Sequence, residues 1–597
     1  MRVLAVSALL ASLAFAVPAA AGAAPGATEK TVVALLELRH PRGLNRFVRA
    51  VSDPSSPRYR RYAGVEDLVA RFGAGQADRR ATLAWLKRRG LRGRIGPTGT
   101  YATVRIDADR ADRLLPPRGG TGAGASAVAG LGRRVPAGLR GAVVAATLLG
   151  QRPNVIGNMA ALDEEGARAA AASAPYSSIL PHSGSAAGCP AGVAGPGGTA
   201  SPPFTPNQYL TAYGHAAMHQ RGLRGAGQTV ALVEVDGFSP GDVETFAQCF
   251  GVKPPPIRTI PVKPLTQPYP GGSEATLDLE VLTAGAPGLD RIDVYQGVAN
   301  EAGIMLTAAA ALGSKRNRPD VISISLGICE PKYSGHLVYR RAMDSVFAVA
   351  AGAGISVLVA AGDSGSSGCR VVGERETTAL PVRAVSLPSS SPYVTAVGGT
   401  NLSLDAGNQI VSEIVWNDWP QLAAGGGGGV SLLSPRRPWW QRLPSMRRFG
   451  LGRIVPDIAA LADVFPGYAY FCTSSPQCRS LPQATPGWSS IGGTSAATPL
   501  MAAAAVLANQ FAARHDQPPL GFLNPLLYEL GAVPRFRRSV FRDVTAGNND
   551  VGALLPGNVE GGRPLGCCGA RRGYDWASGW GSLKVAGLAR AASRAAR

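Results

Sequence analysis

From about residue 204 onward, the chain alternates between short apolar strand segments and helical segments. The strand segments, at residues 229–235, 292–296, 321–325 and 355–360, are nearly all apolar, which is typical of parallel strands buried on both faces. Helical patterns at residues 242–249, 274–285, 302–312 and 337–351 separate them. This alternation predicts an α/β domain with a doubly wound, mainly parallel sheet. In such a sheet we expect the functional side chains at the carboxyl ends of the strands.

A smaller domain precedes this one. The 597 residues exceed what one ordinary hydrophobic core accommodates, so two or more domains are expected. Residues 25–168 have the pattern of an α+β domain, with strands at 31–38 and 101–106 and helices at 43–51, 66–72 and 81–89. Residues 169–203 are rich in Ala, Gly, Ser and Pro, which predicts an exposed linker with a processing site. The α/β domain then takes residues 204–597.

The amino terminus predicts export. A short basic start, Met1-Arg2, precedes an apolar run at residues 3–17 and a stretch of small residues that offers cleavage sites. This pattern indicates a secretory signal peptide over residues 1–24. A membrane anchor is the alternative, but the run is short for a span. We therefore expect a secreted, extracellular protein without stable membrane insertion.

The charge balance is strongly basic, at +21. Such a charge can indicate a nucleic-acid or anionic-membrane partner. Residues 29–168 contain 25 Lys/Arg against 12 Asp/Glu, mostly Arg scattered through amphipathic segments, and no nucleic-acid-binding motif accompanies them. We expect a solvated basic surface and no nucleic-acid partner, although a domain that docks on an acidic partner would have the same composition.

The eight cysteines all lie at or beyond Cys189, and none has zinc-site spacing. They fit an oxidising compartment. Cys472 and Cys478 are close enough in sequence to close a small loop, and Cys329 and Cys369 each follow a predicted strand. The pairing of Cys567 and Cys568 stays open.

The most informative stretch is the Gly-Gly-Thr-Ser-Ala-Ala-Thr-Pro octapeptide at residues 492–499. Ser495 follows a glycine pair, which permits close approach of a substrate backbone, and it opens an Ala-rich helix. The start of a helix offers free N–H groups and a dipole that favours developing negative charge. Ser495 is therefore a candidate nucleophile, with an ordinary helix cap as the alternative.

A serine nucleophile needs a base, and the chain offers carboxylates rather than a histidine. None of the six histidines has a sequence context that suggests a catalytic role. Glu274 and Asp278 stand four residues apart on a predicted helix, which puts them on one face, about 5–6 Å apart. Two like charges so placed repel, whereas two carboxyls that share a proton can serve as acid–base machinery.

Asp363 lies in a Gly-Asp-Ser-Gly turn directly after a predicted buried strand. Its alternative role is to accept hydrogen bonds within that turn. As a donor to an oxyanion it must be protonated, which requires acidic conditions or a raised pKa. A histidine base would be charged under such conditions, whereas the ordinary pKa of Glu, about 4.3, lies near them.

The chain resembles the sedolisin family of secreted serine-carboxyl peptidases along nearly its whole length. Residues 31–155 resemble a pro-kumamolisin-type activation domain, including residues 51–59 and the helix that contains Trp85. The segments 416–417, 425–431 and 456–463 resemble core segments of the family. The resemblance implies a subtilisin-like fold for the α/β domain.

The resemblance also implies roles for individual residues. Ser495 would be the nucleophile, Glu274 the general base, Asp278 its partner, and Asp363 the oxyanion stabiliser. Glu234 matches an acid that extends the Glu–Asp network in some members. The chain departs from the family at residues 325–327, where Ser-Leu-Gly stands in place of Ser-Trp-Gly.

The resemblance further implies one structural Ca²⁺ near the carboxyl terminus. Asp543 and Asp575 would supply carboxylates, and the carbonyls of Val544, Arg571 and Gly573 would complete the set of oxygen ligands that calcium prefers. Relatives often have Gly where Arg571 stands. An ordinary pair of turns is the alternative.

We therefore expect an acid-active serine-carboxyl peptidase, made as a zymogen, that forms an acyl-enzyme. We expect it to hydrolyse peptides or unfolded proteins as a monomer, as an endopeptidase rather than a tripeptidyl-peptidase, with its own pro-domain as intramolecular inhibitor. Two alternatives stay open. One is a His-dependent subtilisin-type protease, and the other is a non-catalytic relative that acts as an extracellular binding protein.

Overall fold

The computed structural model describes residues 29–40, 42–116, 133–149, 156–157, 160–161, 184–194, 202–300, 302–313, 318–333, 336–368, 382–419, 424–480, 485–551 and 565–594. The predicted signal peptide, Cys369 and most of the predicted linker lie outside these residues.

The amino-terminal domain is a four-stranded antiparallel sheet with helices packed against it. The strand order is β2-β3-β1-β4. Side chains such as Val32, Val104 and Ala146 alternate onto the buried face and pack with Trp85 and Leu86. The elements are β1 (Glu29–Leu36), α1 (Gly43–Ser52), α2 (Val65–Phe72), α3 (Gln76–Lys87), β2 (Arg94–Ile95), β3 (Tyr101–Asp107), α4 (Ala108–Leu114) and β4 (Val143–Leu149).

The predicted α+β class of this domain is confirmed. Helix α3 begins five residues before the predicted helix because its first turn is polar and exposed, which conceals the periodicity. Strand β4 was not predicted; it joins the sheet by pairing with β1, a partner over a hundred residues away.

The second domain is built on a ten-stranded, mainly parallel sheet, which confirms the predicted fold class. Its order is β21-β22-β18-β14-β12-β10-β7-β9-β8, with β15 beside β14. The antiparallel pairs are β14–β15 and β21–β22. The strands are β7 (Thr229–Glu234), β8 (Ile257–Pro261), β9 (Arg291–Gln296), β10 (Val321–Ile324), β12 (Ser356–Ala360), β14 (Thr395–Leu404), β15 (Ile410–Val415), β18 (Ile458–Leu461), β21 (Phe541–Arg542) and β22 (Ser582–Leu583).

Short strands outside this sheet pair at its carboxyl edge and beside it. They are β5 (Ile156–Gly157), β6 (Ala160–Ala161), β11 (Leu326–Cys329), β13 (Ser386–Leu387), β16 (Gly429–Val430), β17 (Ile454–Val455), β19 (Tyr468–Phe471) and β20 (Trp488–Gly492).

Helices connect the strands of the second domain. They are α5 (Pro190–Ala194), α6 (Pro206–Tyr213), α7 (His215–Gln220), α8 (Pro240–Cys249), α9 (Glu274–Gly285), α10 (Gly303–Leu312), α11 (Leu337–Gly352), α12 (Pro476–Ser480), α13 (Thr494–Ala513), α14 (Asn524–Ala532), α15 (Pro534–Val540) and α16 (Val585–Arg594).

Helix α13 is the centre of the second domain. It packs against α9, α16 and strands of the large sheet, and nearly all of its residues are buried. Among the described residues it is the one helix long and apolar enough to cross a membrane by length and composition. Because 89% of its apolar window is buried inside the fold, those properties are explained by its place in the core.

The two domains meet at α11, away from the carboxyl edge of the large sheet. Helices α1 and α2 and strands β1 and β4 pack on α11. The Tyr62 hydroxyl donates to the Leu520 carbonyl at 2.8 Å, and Arg318 of the second domain pairs with Glu66 of the first at 2.8 Å. The acid of this ion pair lies on the basic domain, and further hydrogen bonds between the domains join Thr100 to Ser345 and Thr147 to His336.

The described part of the predicted linker packs on the second domain. A disulfide joins Cys189 to Cys249, and Gly192 lies against Cys249, Phe250 and Trp488. The Ser185 N–H donates to Asn408 Oδ1 at 2.7 Å. Residues 184–194 are therefore anchored to the second domain by a covalent bond.

The cysteine predictions have different outcomes. Cys472 pairs with Cys478, as predicted, and Cys567 pairs with its neighbour Cys568. Cys329 is also disulfide-bonded; it could pair with Cys369 if the strands before them are neighbours, but Cys369 lies outside the described residues.

Candidate active site

Glu274 and Asp278 lie in the first turns of α9, at the carboxyl edge of the large sheet. The helix begins at Glu274, as predicted, and every residue in it is buried. The four-residue spacing brings the two carboxyls to one face. Their relative exposures are 3% and 0%, so two solvated surface acids are excluded.

Ser495 is the second residue of α13, which follows β20 through a tight glycine turn. Gly493 has a φ of 104°, which favours glycine, and a Cβ at Gly492 would overlap the Ala462 carbonyl. The Ser495 hydroxyl donates to the Ser325 carbonyl at 3.1 Å. Burial raises the pKa of Glu274, and the nearby Ser495 side chain offsets part of that rise. The turn thus brings the candidate nucleophile to the candidate base.

Asp278 is held by groups at the ends of two central strands. The Ser325 hydroxyl, just after β10, lies 2.8 Å from each Asp278 oxygen. Glu234, the last residue of β7, lies beside Asp278, and neither of its carboxyl oxygens has a hydrogen-bond partner. Buried carboxyls this close repel one another when ionised, so their protonated forms are favoured.

Asp363 follows β12 and is fixed from one side only. Its Oδ1 accepts hydrogen bonds from the Thr494 N–H at 2.8 Å and the Thr494 hydroxyl at 2.7 Å. Its Oδ2 is out of contact with solvent and has no hydrogen-bond partner, although the residue as a whole is half-buried. The unpartnered oxygen is therefore the one available to a bound group.

Burial shifts the pKa of every carboxyl at this site upward. It raises the pKa of Asp278 to about 8 and that of Asp363 to about 7. The pKa values of Glu234 and Glu274 are also well above the ordinary range, first through burial and then through the neighbouring Asp278. No Lys or Arg among the described residues forms an ion pair with these acids, so protonation must relieve their repulsion.

The described histidines lie elsewhere. His215 and His219 contact the carbonyls of Leu500 and Gly285, and burial lowers the pKa of His215 to about 3. His336 contacts Thr147 of the first domain, and His515 contacts the Phe511 carbonyl. The hydroxyl of Ser495 contacts none of them.

Two short strands from the region between the domains flank Ser495. Strand β5 pairs antiparallel with β11, with Gly157 opposite Leu326. Strand β6 pairs antiparallel with β20, with Ala160 opposite Gly492. Since β11 follows Ser325 and β20 leads to Ser495, these two short strands lie on either side of the candidate nucleophile.

The predicted calcium ligands lie together in two turns near the carboxyl terminus. The Gly573 N–H donates to Asp543, at 2.9 Å to Oδ2, while Asp575 accepts from the Arg571 N–H at 2.8 Å. Burial raises the pKa of Asp575 to about 6, and no basic side chain among the described residues forms an ion pair with either acid. Asp575 also accepts hydrogen bonds from the N–H groups of Ala577 and Ser578, and Arg537 and Arg572 interact electrostatically with Asp543. The carboxylate and carbonyl oxygens are the ligand type that calcium prefers, although no described group of three His, Cys, Asp or Glu side chains could hold a metal.

Sequence reasoning did not assign a role to Asp236, Ser325 or Thr494. Asp236, two residues beyond β7, contacts the start of α9, and Ser325 was noted only as part of the departure from the family pattern. Their positions at the ends of buried strands were a usable signal, but the partner of each side chain comes from a distant segment.

Two segments of the chain match known family models, and the chain is similar to kumamolisin. Residues 282–519, which include Asp363 and Ser495, match the subtilase family model, and residues 19–116 match that of the pro-kumamolisin activation domain. Kumamolisin from Bacillus sp. (strain MN-32) is 35% identical over 358 residues, which are 58% of this chain and 58% of kumamolisin.

Two further relatives extend the comparison. Tripeptidyl-peptidase 1 of Rattus norvegicus is 28% identical over 558 residues, covering 90% of this chain and 87% of that enzyme. Among solved structures, Pseudomonas sedolisin, a serine-carboxyl proteinase in complex with pseudo-iodotyrostatin, matches with a TM-score of 0.52 and 26% identity over 65% of this chain and 96% of that one. The alignments to kumamolisin and to the mouse tripeptidyl-peptidase 1 span only about half of those proteins.

The fold and the site define a subtilisin-like α/β protein whose buried serine faces carboxyls instead of a histidine. The chain is similar to kumamolisin, sedolisin and tripeptidyl-peptidase 1, and parts of it match the models of the subtilase family and of the pro-kumamolisin activation domain.

Proposed function

We propose that this protein is a secreted, acid-active serine-carboxyl peptidase that is made as a zymogen and hydrolyses peptide bonds through an acyl-enzyme. The observation that carries the proposal is the convergence of Ser495 and the buried carboxyls at Ser325, whose hydroxyl lies 2.8 Å from Asp278 and 3.3 Å from the Ser495 carbonyl. No described histidine reaches the Ser495 hydroxyl. The upward pKa shifts of the surrounding carboxyls favour a working range in which they hold protons.

In the acylation step, Ser495 Oγ attacks the carbonyl carbon of the scissile peptide while its proton passes to Glu274. Glu274 then gives that proton to the leaving amine as the C–N bond breaks, which leaves an ester on Ser495. A water molecule hydrolyses the ester by the same proton path in reverse. Asp278, fixed by Ser325, orients Glu274 and shares its proton.

Asp363 stabilises the oxyanion of the tetrahedral intermediate. Because its Oδ1 already accepts two hydrogen bonds from Thr494, the carboxyl proton resides on Oδ2, the oxygen without a partner. A protonated Oδ2 can donate to an oxygen that becomes negative in the transition state. A pKa of about 7 keeps that proton in place throughout the acidic range.

Peptide or unfolded protein substrates would bind as extended strands along β11 and β20. The edges of these strands pair with β5 and β6 of the chain's own pro-segment, so a substrate would replace that segment. This mode supports the pro-domain and its connection as an intramolecular inhibitor. A site open to an extended chain favours endopeptidase over tripeptidyl-peptidase action.

Maturation would cut the predicted linker, residues 169–203, at low pH after export and removal of residues 1–24. The disulfide between Cys189 and Cys249 determines which part of the linker stays attached to the mature enzyme after the cut. A cut before Cys189 leaves residues 189–194 in the mature chain, and a cut after it leaves a remnant attached through sulfur. The mature enzyme would act as a monomer and without a nucleic-acid partner.

One structural Ca²⁺ would be held by Asp543, Asp575 and the carbonyls of Val544, Arg571 and Gly573. When bound, the ion supplies positive charge that offsets the two acids and ties the turn after β21 to the turn before β22. No catalytic step passes through it.

The direct test is hydrolysis of an unfolded protein by the purified zymogen from pH 2 to 8, for the wild type, Ser495→Ala and a control, Ser323→Ala. Ser323 is another buried serine, on β10, with no hydrogen-bond partner. We expect a maximum below about pH 5, loss of all turnover in Ser495→Ala, and turnover in the control. Fragment sizes determined by mass spectrometry would separate internal cleavage from release of tripeptides.

Other outcomes would contradict the proposal. A maximum near neutral pH that survives Glu274→Gln would support a histidine-dependent protease. No turnover at any pH, after removal of the pro-domain by an added protease, would support a non-catalytic binding protein.

A further inference from the structure

The catalytic helix α9 begins inside the protein without a cap from its own sequence. Ser273 precedes the helix, but its side chain makes no capping hydrogen bond. The first backbone N–H groups of a helix have no partner within the helix, and burying them unpaired is costly. Another segment must therefore supply the acceptors.

Asp236 supplies them from the end of β7. Its Oδ2 accepts from the Glu274 N–H and its Oδ1 from the Ala275 N–H, each at 3.1 Å. The residue is 8% exposed, and its two oxygens pair two of the N–H groups that the helix itself leaves without a partner. One carboxyl thus fixes the backbone of the residue that carries the proposed base.

The loop before α9 is shaped around this carboxyl. A Cβ at Gly272 would overlap the side chain of Asp236, and a Cβ at Gly237 would overlap the Tyr269 carbonyl. On its other side, Gly271 lies against Ser474 of the loop closed by Cys472 and Cys478. The start of α9 therefore packs between the turn that contains Asp236 and the loop closed by Cys472 and Cys478. Asp236 makes the hydrogen bonds to the helix.

The groups that face Asp236 are acidic or phenolic. Glu234 lies on its own strand, Glu274 and Asp278 on α9, and Tyr269 and Tyr470 on the flanking segments. None of them is a counter-ion. A further buried carboxyl beside the proposed Glu–Asp pair increases electrostatic repulsion and so destabilises the fold. The two hydrogen bonds that cap α9 offset this cost in free energy.

We propose that Asp236 is a positioning residue for catalysis: it fixes the first turn of α9 so that Glu274 meets the Ser495 hydroxyl. It acts through Glu274 and not on the substrate. This inference rests on the proposed serine-carboxyl mechanism, and a small displacement of a catalytic group is enough to slow a reaction by about a hundredfold.

The test measures kcat and KM separately for a peptide substrate at acidic pH, per active site titrated with a serine-directed inhibitor. We expect Asp236→Ala to lower kcat by about 10- to 100-fold with KM changed less than about twofold, because the binding edges β11 and β20 are untouched. Asp236→Asn keeps one acceptor oxygen and should regain most of the lost kcat. Asp320→Ala is the matched control, since Asp320 accepts a backbone N–H from Thr229 at 2.8 Å on the opposite edge of the sheet.

A second variant tests the contact between Asp236 and α9 by changing Gly272, which lies against the Asp236 side chain. Gly272→Ala should displace Asp236 and lower kcat as Asp236→Ala does. In the Asp236→Ala, Gly272→Ala double variant the overlap is gone, so the two losses should not multiply. If Asp236→Ala yields no folded zymogen, Gly272→Ala and Asp236→Asn give the comparison.

The outcomes separate this inference from the proposed function. Wild-type turnover that depends on Ser495, combined with full kcat in Asp236→Ala and a lower melting temperature, would assign Asp236 a purely structural role and overturn the inference alone. Losses that multiply in the double variant would overturn it as well. A wild-type protein without Ser495-dependent turnover would overturn both.

Discussion

The side chains of the site divide into those proposed to react and those that hold them. Ser495 and Glu274 exchange a proton in the proposed mechanism. Ser325 bonds both oxygens of Asp278, whereas Thr494 bonds one oxygen of Asp363 and leaves the other without a partner. This arrangement determines where protons reside. It also explains why a site built from acids needs neutral donors: a lysine or arginine here would lower the pKa values that acidic catalysis requires.

Thr494 gives a prediction at the residue scale. Thr494→Val removes the hydroxyl that donates to Asp363 Oδ1, so the proton is no longer confined to Oδ2, and we expect kcat to fall about tenfold. The lost donor stabilised the ionised form, so the pKa of Asp363 should rise and the basic limb of kcat/KM should move to higher pH. Measurement of the pH profile checks both effects.

Thr494→Ser is the control for that variant, because it keeps the hydroxyl. The account of Asp363 would be wrong if the valine variant moved the basic limb to lower pH, or if the serine variant behaved like the valine variant.

At the scale of elements, the site is made by the carboxyl ends of neighbouring strands. Glu234 ends β7, Ser325 directly follows β10, and Asp363 lies three residues beyond β12, while the glycine turn after β20 turns α13 toward them. Parallel strands share one carboxyl edge, so residues far apart in sequence converge there. Each connection contributes one side chain to the site.

The turns around β21 and β22 carry the prediction on calcium. If one ion bridges Asp543 and Asp575, chelation at pH 5 should lower the melting temperature by about 5 °C, and Ca²⁺ but not Mg²⁺ should restore it. Asp575→Asn should melt at a lower temperature and lose the response to Ca²⁺. If neither chelator nor added Ca²⁺ changes the melting temperature of the wild type, the proposed calcium site is wrong.

The sequence predicts the positions of helices and strands better than the contacts between distant segments. The start of α9 at Glu274 and the buried strand before Asp363 follow from periodicity and glycine placement, and both are found in the structure. The cap of α9 by Asp236 and the Cys189–Cys249 disulfide could not be predicted, because each joins segments 38 or more residues apart. The pairing of β5 and β6 beside Ser495 was missed for the same reason: two-residue strands carry no pattern of their own.

At the scale of the whole molecule, burial raises the pKa values of many carboxyls. Besides Asp278 and Asp363, burial raises the pKa values of Asp236 and Asp463 to about 7. In the unfolded chain these acids ionise near their ordinary value of 3.8, so folding binds protons at intermediate pH. Stability is then fully present below about pH 4 and is lost as the pH rises toward 7 to 8, where the folded carboxyls ionise.

This linkage predicts the pH dependence of stability for the full chain with Ser495→Ala, which prevents self-digestion. We expect the melting temperature to be highest near pH 4 and to fall steadily between about pH 5 and pH 8. Calorimetry in buffers of equal ionic strength measures it. A maximum near neutral pH would contradict the raised pKa values.

The measurement that tests the central claim most directly is the pH dependence of kcat/KM for the wild type and Glu274→Gln, with Glu529→Gln as a control on an exposed acid of α14. The account predicts an acidic maximum for the wild type and the control. It predicts a loss of about a thousandfold or more in Glu274→Gln at every pH, since glutamine cannot accept the Ser495 proton. Turnover in Glu274→Gln within tenfold of the wild type would contradict a carboxylate base at Ser495.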